Sequence, residues 1–389
     1  MKTILVLLIL FVVSWVNGQT LDSLLKSIEH NNPQLIAMQK WLDAEAVFAR
    51  TGIYPVNPEV LYTYLFGSPV ETGNQQELEI MQSFRLPGYY NKKAALQQLQ
   101  YEQKQFLAAK EVKDIIHRVE VVYFNLVLLH KKEILLQKRK EEADRLLTMM
   151  KLGFDQGEIS KSAYDKARIF FMNVETEWNK TKADIQIMKG QLQQFNGGNA
   201  IDQFGFEYPG DWSIPPLDSV LSHAEAGNPV LQSARVEIKI SDKSEKFERM
   251  NSWPAFEAGY KAETILNQRL QGFQFGLSIP FWQDANKLKY TRLQQEWMQA
   301  QYEQREAELR TQITALYNEV QSLQDNYLQM KAIMDDEQIS LRNLDLLQAG
   351  QISFTEYLVD AGFIWEVLNN FFEIENAYFV GLSKLKSII

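Results

Sequence analysis

Apolar residues alternate with polar or small residues in four short segments, two in each half of the chain. The clearest segment is 273–281, where every second residue is apolar. Its apolar set is Phe273, Phe275, Leu277, Ile279 and Phe281. A period of two predicts strands with one apolar and one polar face. We predict strands at about 58–67, 76–85, 254–264 and 271–281, joined in pairs by hairpin loops over 68–75 and 265–271.

Each predicted strand is about ten residues long, which suits a tilted strand that crosses a lipid bilayer. Seven aromatic residues in these segments are candidates to face the membrane: Tyr62, Tyr64, Phe66, Phe256, Tyr260, Phe273 and Phe275. Half-buried strands of a soluble sandwich would give the same alternation, because a barrel pattern is weak in any single segment. The strands therefore allow two interpretations.

Long segments without proline or glycine follow each pair of predicted strands. Residues 91–152 and 286–349 are rich in strong helix formers and predict two helices of ~90 Å each. The return helices, about 160–195 and 354–388, would span only ~55 Å. A further helix at about 33–52 adds ~30 Å, so that two short helices stacked end to end nearly equal one long helix. This geometry predicts the wall of a cylinder of even height.

The two halves of the chain repeat the same order of patterns. Residues 20–35 (TLDSLLKSIEHNNPQL) match 216–231 (PLDSVLSHAEAGNPVL), and GEIS at 157–160 matches GQIS at 350–353. The period is too long for a solenoid, whose repeats have about 20–50 residues, and indicates duplication of one large unit. We expect a first repeat over 19–200 and a second repeat over 201–389, each a helix–strand–strand–helix unit.

The first 18 residues resemble an export signal. Lys2 precedes an apolar stretch that is too short to span a bilayer, and Val16 and Gly18 occupy the positions of a small-residue cleavage site. We therefore expect a signal peptide over 1–18. No later segment offers the ~20 uncharged apolar residues of a membrane-spanning helix, so that any membrane contact would be made through strands.

Four strands in one chain are too few to close a barrel, since about eight is the smallest number that does so. Open strand edges are not tolerated in lipid, because their backbone groups would stay without hydrogen bonds. A membrane barrel therefore requires several copies of the chain. A dimer would supply eight strands and a trimer twelve.

Composition excludes several classes of protein. The chain of 389 residues has no cysteine, which excludes disulfide scaffolds and thiolate chemistry, and its net charge of −9 disfavours nucleic-acid binding. Four isolated histidines give little material for a metal site, and no nucleotide-binding or hydrolase motif occurs. We expect no enzyme activity, no cofactor and no metal site, so that any energy source belongs to a partner.

The segments LGFDQGEIS and LQAGQISF are predicted to be the turns between each long helix and its return helix. Gly153 or Gly157 in the first turn and Gly350 in the second fit helix C-caps that need a positive φ. Ser353 and Glu356 have the spacing of a capping box, and Ser162 with Asp165 is a looser version.

The whole mature chain resembles TolC-type outer membrane efflux proteins. Three features carry this resemblance: the repeated opening, the passages from strand to helix at 83–91 and 278–286, and the GxIS turns followed by an aromatic residue. The first opening departs from the family pattern, with Ile28 and Glu29 where alanine is usual. The resemblance implies a mainly α fold with a membrane β-barrel portion. It also implies a homotrimer with a twelve-stranded barrel in the outer membrane and a long α-helical tunnel across the periplasm.

The resemblance further implies a passive exit channel that serves an inner-membrane pump through a periplasmic adaptor (membrane fusion) protein. The turn residues expected at the periplasmic tip and in adaptor contact are Gly153, Gly157, Ile159, Ser160, Gly350, Ile352 and Ser353. Residues 52–60 (GIYPVNPEV) are similar to the heavy-metal cation efflux branch. Drugs or secreted polypeptides are alternative cargoes, and a secreted coiled-coil structural protein is an alternative function.

Glu356 and Asp360 are the candidates for the periplasmic aperture. Being four residues apart they share one helix face, and threefold symmetry would turn each into a ring of carboxylates that favours cations. The alternative is a capping glutamate and a solvated aspartate without a role in the channel.

Overall fold

The computed structural model describes residues 21–201, 207–210, 212–279, 282, 286–334 and 343–389. The predicted signal peptide over 1–18 lies outside the described residues. The first half contains, in order, α1 (Leu21–Asn31), α2 (Pro33–Phe48), β1 (Glu59–Leu65), β2 (Gln75–Phe84), α3 (Tyr89–Asp155) and α4 (Lys161–Phe195). The second half contains α5 (Leu217–Gly227), α6 (Pro229–Asn251), β3 (Ala255–Ile265), β4 (Gln268–Ser278), α7 (Lys287–Met334), α8 (Asn343–Gln348) and α9 (Phe354–Ile388).

The repeated Asn-Pro pair has the same structural role in both halves. The side-chain oxygen of Asn32 accepts from the amides of Gln34 (2.9 Å) and Leu35 (3.1 Å), which caps α2. Its amide group donates to the carbonyl of Phe195 at the end of α4 (2.9 Å). The buried Asn32 thus joins the start of α2 to the end of α4. Pro33 fits the first helical position, where no amide proton is needed.

In the second half, Asn228 repeats these contacts. Its side-chain oxygen accepts from the amides of Val230 (2.9 Å) and Leu231 (3.3 Å), and its amide group donates to the carbonyl of Ile388 (2.7 Å). The repeat in the sequence therefore corresponds to a repeated helix-capping arrangement.

The strands form one antiparallel sheet in the order β1-β2-β3-β4. The pairing of β2 with β3 joins a strand of the first half to a strand of the second, with Ile80 opposite Tyr260. Tyr260 in turn lies opposite Phe273 of β4. In this register, the even-numbered residues of β1, β2 and β3 and the odd-numbered residues of β4 share one face.

The second hairpin is tighter than the predicted loop over 265–271. Leu266 and Asn267 both have positive φ, 48° and 63°, and these two residues alone join β3 to β4. This is the geometry of a two-residue hairpin turn, whose twist matches that of its strands. Residues 268–270 belong to β4, and the sequence prediction was wrong in assigning them to a loop.

Contacts divide the chain into two compact units. One unit contains the described residues within 21–36, 115–214 and 316–387, and the other contains those within 37–114, 215–315 and 388–389. The sheet lies in the second unit, and both turns between long and return helices lie in the first. The predicted helix 286–349 includes 335–342, which lie outside the described residues, and α7 and α8 are the helical segments on either side.

Candidate functional site

The first turn between helices has a Schellman-type end. At the end of α3 the amide of Gly157 donates to the Phe154 carbonyl (3.0 Å), and the amide of Glu158 donates to the Gly153 carbonyl (2.8 Å). Gly157 has φ 76°, so it supplies the left-handed residue of this motif. At Gly153 an added Cβ would lie 2.5 Å from Cδ1 of Ile159, so a larger residue there would require the Ile159 side chain to move.

The second turn repeats this geometry. The amide of Gly350 donates to the Leu347 carbonyl (3.0 Å), and the amide of Gln351 donates to the Leu346 carbonyl (2.9 Å). Gly350 has φ 70°. The matching GxIS segments therefore produce matching turns at the ends of α3 and α8.

Serine caps the helix that follows each turn. Ser160 accepts from the amide of Ala163 (3.2 Å) at the start of α4, so the sequence assignment of Ser162 and Asp165 to a looser capping box was wrong. Before α9, Ser353 and Glu356 form a complete capping box, with one hydrogen bond in each direction. Ser353 N donates to Glu356 Oε2 (2.7 Å), and Glu356 N donates to Ser353 Oγ (3.2 Å).

The two turns pack into one apolar cluster within the first unit. Its buried members are Leu146, Met150, Ala167, Leu344 and Tyr357. Ile159 and Ile352, the isoleucines of the two GxIS segments, are partly buried against it, as is Met149. These isoleucines fix the turns to each other, which leaves exposed polar residues such as Ser160 and Ser353 at the surface of the turns.

Glu356 and Asp360 are both exposed and differ in their contacts. The Ser353 backbone amide, with a further contribution from its side chain, holds the pKa of the Glu356 carboxyl below its ordinary value of 4.5. Asp360 forms no hydrogen bond or ion pair with another described residue. Glu356 therefore caps α9 while it remains accessible, whereas the structure assigns Asp360 no structural contact.

The first turns of α9 also carry exposed apolar residues that the sequence prediction did not select. Val359 is 65% exposed and Phe363 is 67% exposed, whereas Tyr357 on the opposite face is 2% exposed. Burial raises the pKa of Tyr357 to about 12. The helix therefore packs through its Tyr357 face and presents a mixed acidic and apolar face outward.

Arg139 of α3 is a second residue that local patterns did not identify. Its guanidinium lies over the ring of Trp365 on α9, 4.6 Å from the centroid, and 5.4 Å from the ring centroid of Phe170 on α4. Tyr357 and Glu142 line the small cavity beside it, of about 30 Å³. No signal in the sequence relates residues so far apart in the chain.

The sheet places all the predicted strand aromatics except Phe66 on its apolar face. Phe66 follows the end of β1 and contacts Tyr64, with ring centroids 4.9 Å apart. Phe273 and Phe275 are 84% and 81% exposed, so the chain itself does not cover this face of β4. The opposite face carries these charged residues: Glu59, Glu77, Glu79, Glu257, Lys261 and Glu263.

None of the described helices combines the length and the apolar character needed to cross a membrane. Within the same residues, no group of three or more His, Cys, Asp and Glu side chains is arranged to hold a metal ion.

No protein-family model matches the chain, and no curated protein matches it. Several solved structures match the chain. The chain is similar to CusC, for which a transmembrane channel is described, with a TM-score of 0.78, 16% identity, and coverage of 95% of this chain and 91% of that one. It is also similar to the outer membrane protein VceC of Vibrio cholerae, with a TM-score of 0.75, 13% identity, and 95% of each chain covered.

A third similar structure is the CmeC outer membrane channel of Campylobacter jejuni, with a TM-score of 0.79, 13% identity, and coverage of 95% of this chain and 85% of that one. These are TolC-type outer membrane channels. The chain therefore has the TolC-type fold, mainly helical with a small sheet, which confirms the fold expected from the repeated sequence patterns.

Proposed function

We propose that the protein is a passive exit channel of the outer membrane and no enzyme. The observation that carries the proposal is the four-stranded sheet in a chain with the TolC-type fold. Within the described residues, β1 and β4 are each paired on one side only, and the aromatic face of the sheet is exposed. Lipid would cover this face, and strands of other copies would satisfy the two free edges.

The directions of the strands support closure by identical copies. In a four-stranded antiparallel sheet the first and last strands run in opposite directions, so β4 of one copy can pair antiparallel with β1 of the next. Three copies give a ring of twelve strands, which leaves an aqueous lumen where the eight strands of a dimer would be filled by side chains. We therefore propose a homotrimer that extends into the periplasm.

We propose that the turns at Gly157 and Gly350 form the periplasmic tip. Gly157, Ser160, Gly350 and Ser353 would contact a periplasmic adaptor there, and the buried Gly153 would hold the turns in shape together with Ile159 and Ile352. Glu356 or Asp360 would line the aperture as a ring of three carboxylates. An inner-membrane pump would supply the energy.

We propose cations, including metal ions, as cargo. The polar face of the sheet carries five glutamates and one lysine, Lys261, and this face would line the lumen. An excess of carboxylates in a lumen favours cations over anions. Drugs or secreted polypeptides remain the alternative cargoes, because a pump that loads the channel would select among them.

Reconstitution into planar bilayers tests the channel. The purified protein should conduct, and should be extracted from cell envelopes only by detergent. Replacing Glu356 and Asp360 by alanine should reduce cation selectivity and block by multivalent cations added at the periplasmic side. An unchanged reversal potential and unchanged block would leave Glu356 with its capping role alone. A protein that is released without detergent and does not conduct would instead favour a secreted structural protein.

A further inference from the structure

All four strands adjoin helices at the same end of the sheet. β1 and β3 begin at this end and β2 and β4 finish there, because neighbouring strands are antiparallel. We call the segments next to this end the collar, and all of them belong to the second unit: 46–58, 85–101, 242–254 and 286–295. Tyr89 of α3 packs on Phe247 of α6, with ring centroids 5.1 Å apart. The side-chain amide of Gln97 on α3 donates to the carbonyl of Thr51, just after α2 (3.1 Å).

The α2–α3 half of the collar is basic, although the whole chain has a net charge of −9. Residues 46–58 and 85–101 contain four basic residues and no Asp or Glu: Arg50, Arg85, Lys92 and Lys93. The side chains of Arg50, Arg85 and Lys92 are exposed. Among the described residues none of the four basic side chains has an acidic partner, and Arg85 lies over the ring of Tyr89, 5.4 Å from its centroid. These positive charges are therefore accessible to an anionic partner from outside the chain.

The α6–α7 half of the collar differs, because its acidic residues are matched by basic residues of the chain. Glu245 of α6 accepts from Arg249 Nη2 (2.8 Å) and from Arg292 Nε of α7 (3.0 Å). Glu248 pairs with Lys287 of α7 (2.8 Å). These ion pairs fix α6 to α7, whereas the basic side chains of the α2–α3 half have no such role.

The collar continues the apolar face of the sheet. Phe84 and Phe256 lie opposite each other at this end of that face, and both are exposed. Glu59 and Glu257, at the same end, lie on the polar face. Tyrosine and tryptophan are enriched where a membrane meets water, and three such residues of the collar are exposed: Tyr54, Trp253 and Tyr290. A lipid layer that covers the apolar face would therefore end at the collar, with its headgroups beside the basic residues.

We propose that the α2–α3 half of the collar binds phospholipids whose headgroups carry a net negative charge, in the leaflet that faces the periplasm. The proposal rests on the proposed outer membrane channel and adds to it the class of lipid that the channel recognises. Phosphate oxygens of such lipids supply the acceptors that Arg50, Arg85 and Lys92 lack within the chain. A zwitterionic headgroup also carries a cation, which these side chains would repel.

Lipid retention by the full chain in detergent tests the proposal. The protein is mixed with equal amounts of phosphatidylglycerol and phosphatidylcholine that have the same acyl chains, and is then purified again. Mass spectrometry of the retained lipids should show an excess of phosphatidylglycerol for the parent. Arg50→Gln/Lys92→Gln should lower the ratio of the two lipids about 5- to 30-fold, which corresponds to about 1–2 kcal/mol for the loss of basic side chains beside anionic headgroups.

Two matched variants separate a local site from the charge of the whole protein. Lys26→Gln/Lys180→Gln removes the same charge from exposed positions of the other unit and should keep the parent ratio. Arg50→Lys/Lys92→Arg keeps both charges and should also retain the preference. Sodium phosphate and sodium chloride at equal ionic strength should weaken the preference equally, because both act by screening.

Three outcomes would overturn the proposal: equal retention of both lipids by the parent, equal losses in the Arg50/Lys92 and Lys26/Lys180 glutamine variants, or a loss in phosphate that chloride does not cause, which would indicate a site for the free anion. A parent protein that conducts in bilayers but retains the two lipids equally would leave the channel function intact. A parent that is released without detergent and retains neither lipid would overturn the channel function itself, so the two failures are distinguishable.

Discussion

At the residue scale, Ser353 and Glu356 show how one short motif combines a structural role with an accessible charge. Ser353→Ala removes the hydroxyl that accepts from the amide of Glu356, and loss of such a helix cap costs about 1 kcal/mol of stability. We expect the pKa of Glu356 to move part of the way back towards 4.5, since the backbone amide of residue 353 can still donate. A carboxyl-resolved NMR titration of the parent and the variant measures this shift.

The sign of the pH dependence follows from the same contacts. The folded-state pKa of Glu356 is lowered, so its contribution to stability is present above pH 4.5 and is lost as the pH falls through the folded-state value. Thermal unfolding between pH 7 and pH 3 should show a smaller loss of stability in Ser353→Ala than in the parent. Parallel curves for the two proteins would contradict this assignment.

Two glycines provide a second test at this scale. Gly350 has φ 70°, where a side chain is strained, so Gly350→Ala should destabilise the protein by about 1–2 kcal/mol. Gly190 lies within α4 with nothing within 4 Å of an added Cβ, so Gly190→Ala should stabilise it by up to about 1 kcal/mol. Opposite shifts of the melting temperature are expected, and two shifts of the same sign would contradict the assigned turn.

At the element scale, the pairing of β2 with β3 joins the two repeats, and Gly259 of β3 lies opposite Met81 of β2. An added Cβ there would overlap Met81 Sδ and the carbonyl oxygen of Ile80. We expect Gly259→Val to push the strands apart, to cost about 1–3 kcal/mol and to reduce assembly. Gly272→Val on β4 is the matched control, because nothing lies within 4 Å of its Cβ position.

Light scattering and thermal unfolding in detergent measure both variants. Gly272→Val should resemble the parent in both. If Gly259→Val matched Gly272→Val, the observed register of β2 with β3 would be contradicted.

Elements with a regular period were predictable from the sequence, and irregular ones were not. Alternation identified the strand segments, and the absence of proline and glycine identified the long helices. The turn at Leu266 and Asn267 escaped prediction because leucine is a poor residue for a positive φ, so the polar residues after it resembled a loop. Likewise, the GxIS repeats indicated the turns, whereas the contact of Arg139 with Trp365 joins distant parts of the chain and leaves no local pattern.

At the scale of the whole molecule, the proposed ring of copies depends on the free edges of β1 and β4. The chain contains no cysteine, so engineered pairs can be introduced without background crosslinks. Neighbouring antiparallel strands place residues of the same face opposite each other. Because Thr63 lies on the polar face of β1, its partners in another copy must belong to the polar face of β4, which carries the even-numbered residues of that strand.

We therefore expect a cysteine at Thr63 to form an intermolecular disulfide with a cysteine at one of four polar-face positions of β4: Leu270, Gly272, Gln274 and Gly276. Cysteines at Phe273 or Phe275 should not crosslink with it, because their side chains lie on the other face of the sheet and a disulfide tolerates only a short Cβ separation. Full oxidation of the matching pair should give covalent trimers alone on non-reducing gels, since a closed ring leaves no free edge. A ladder of ever larger species would indicate an open, non-closing assembly, and crosslinking through Phe273 as efficient as through Gly272 would contradict strand pairing between copies.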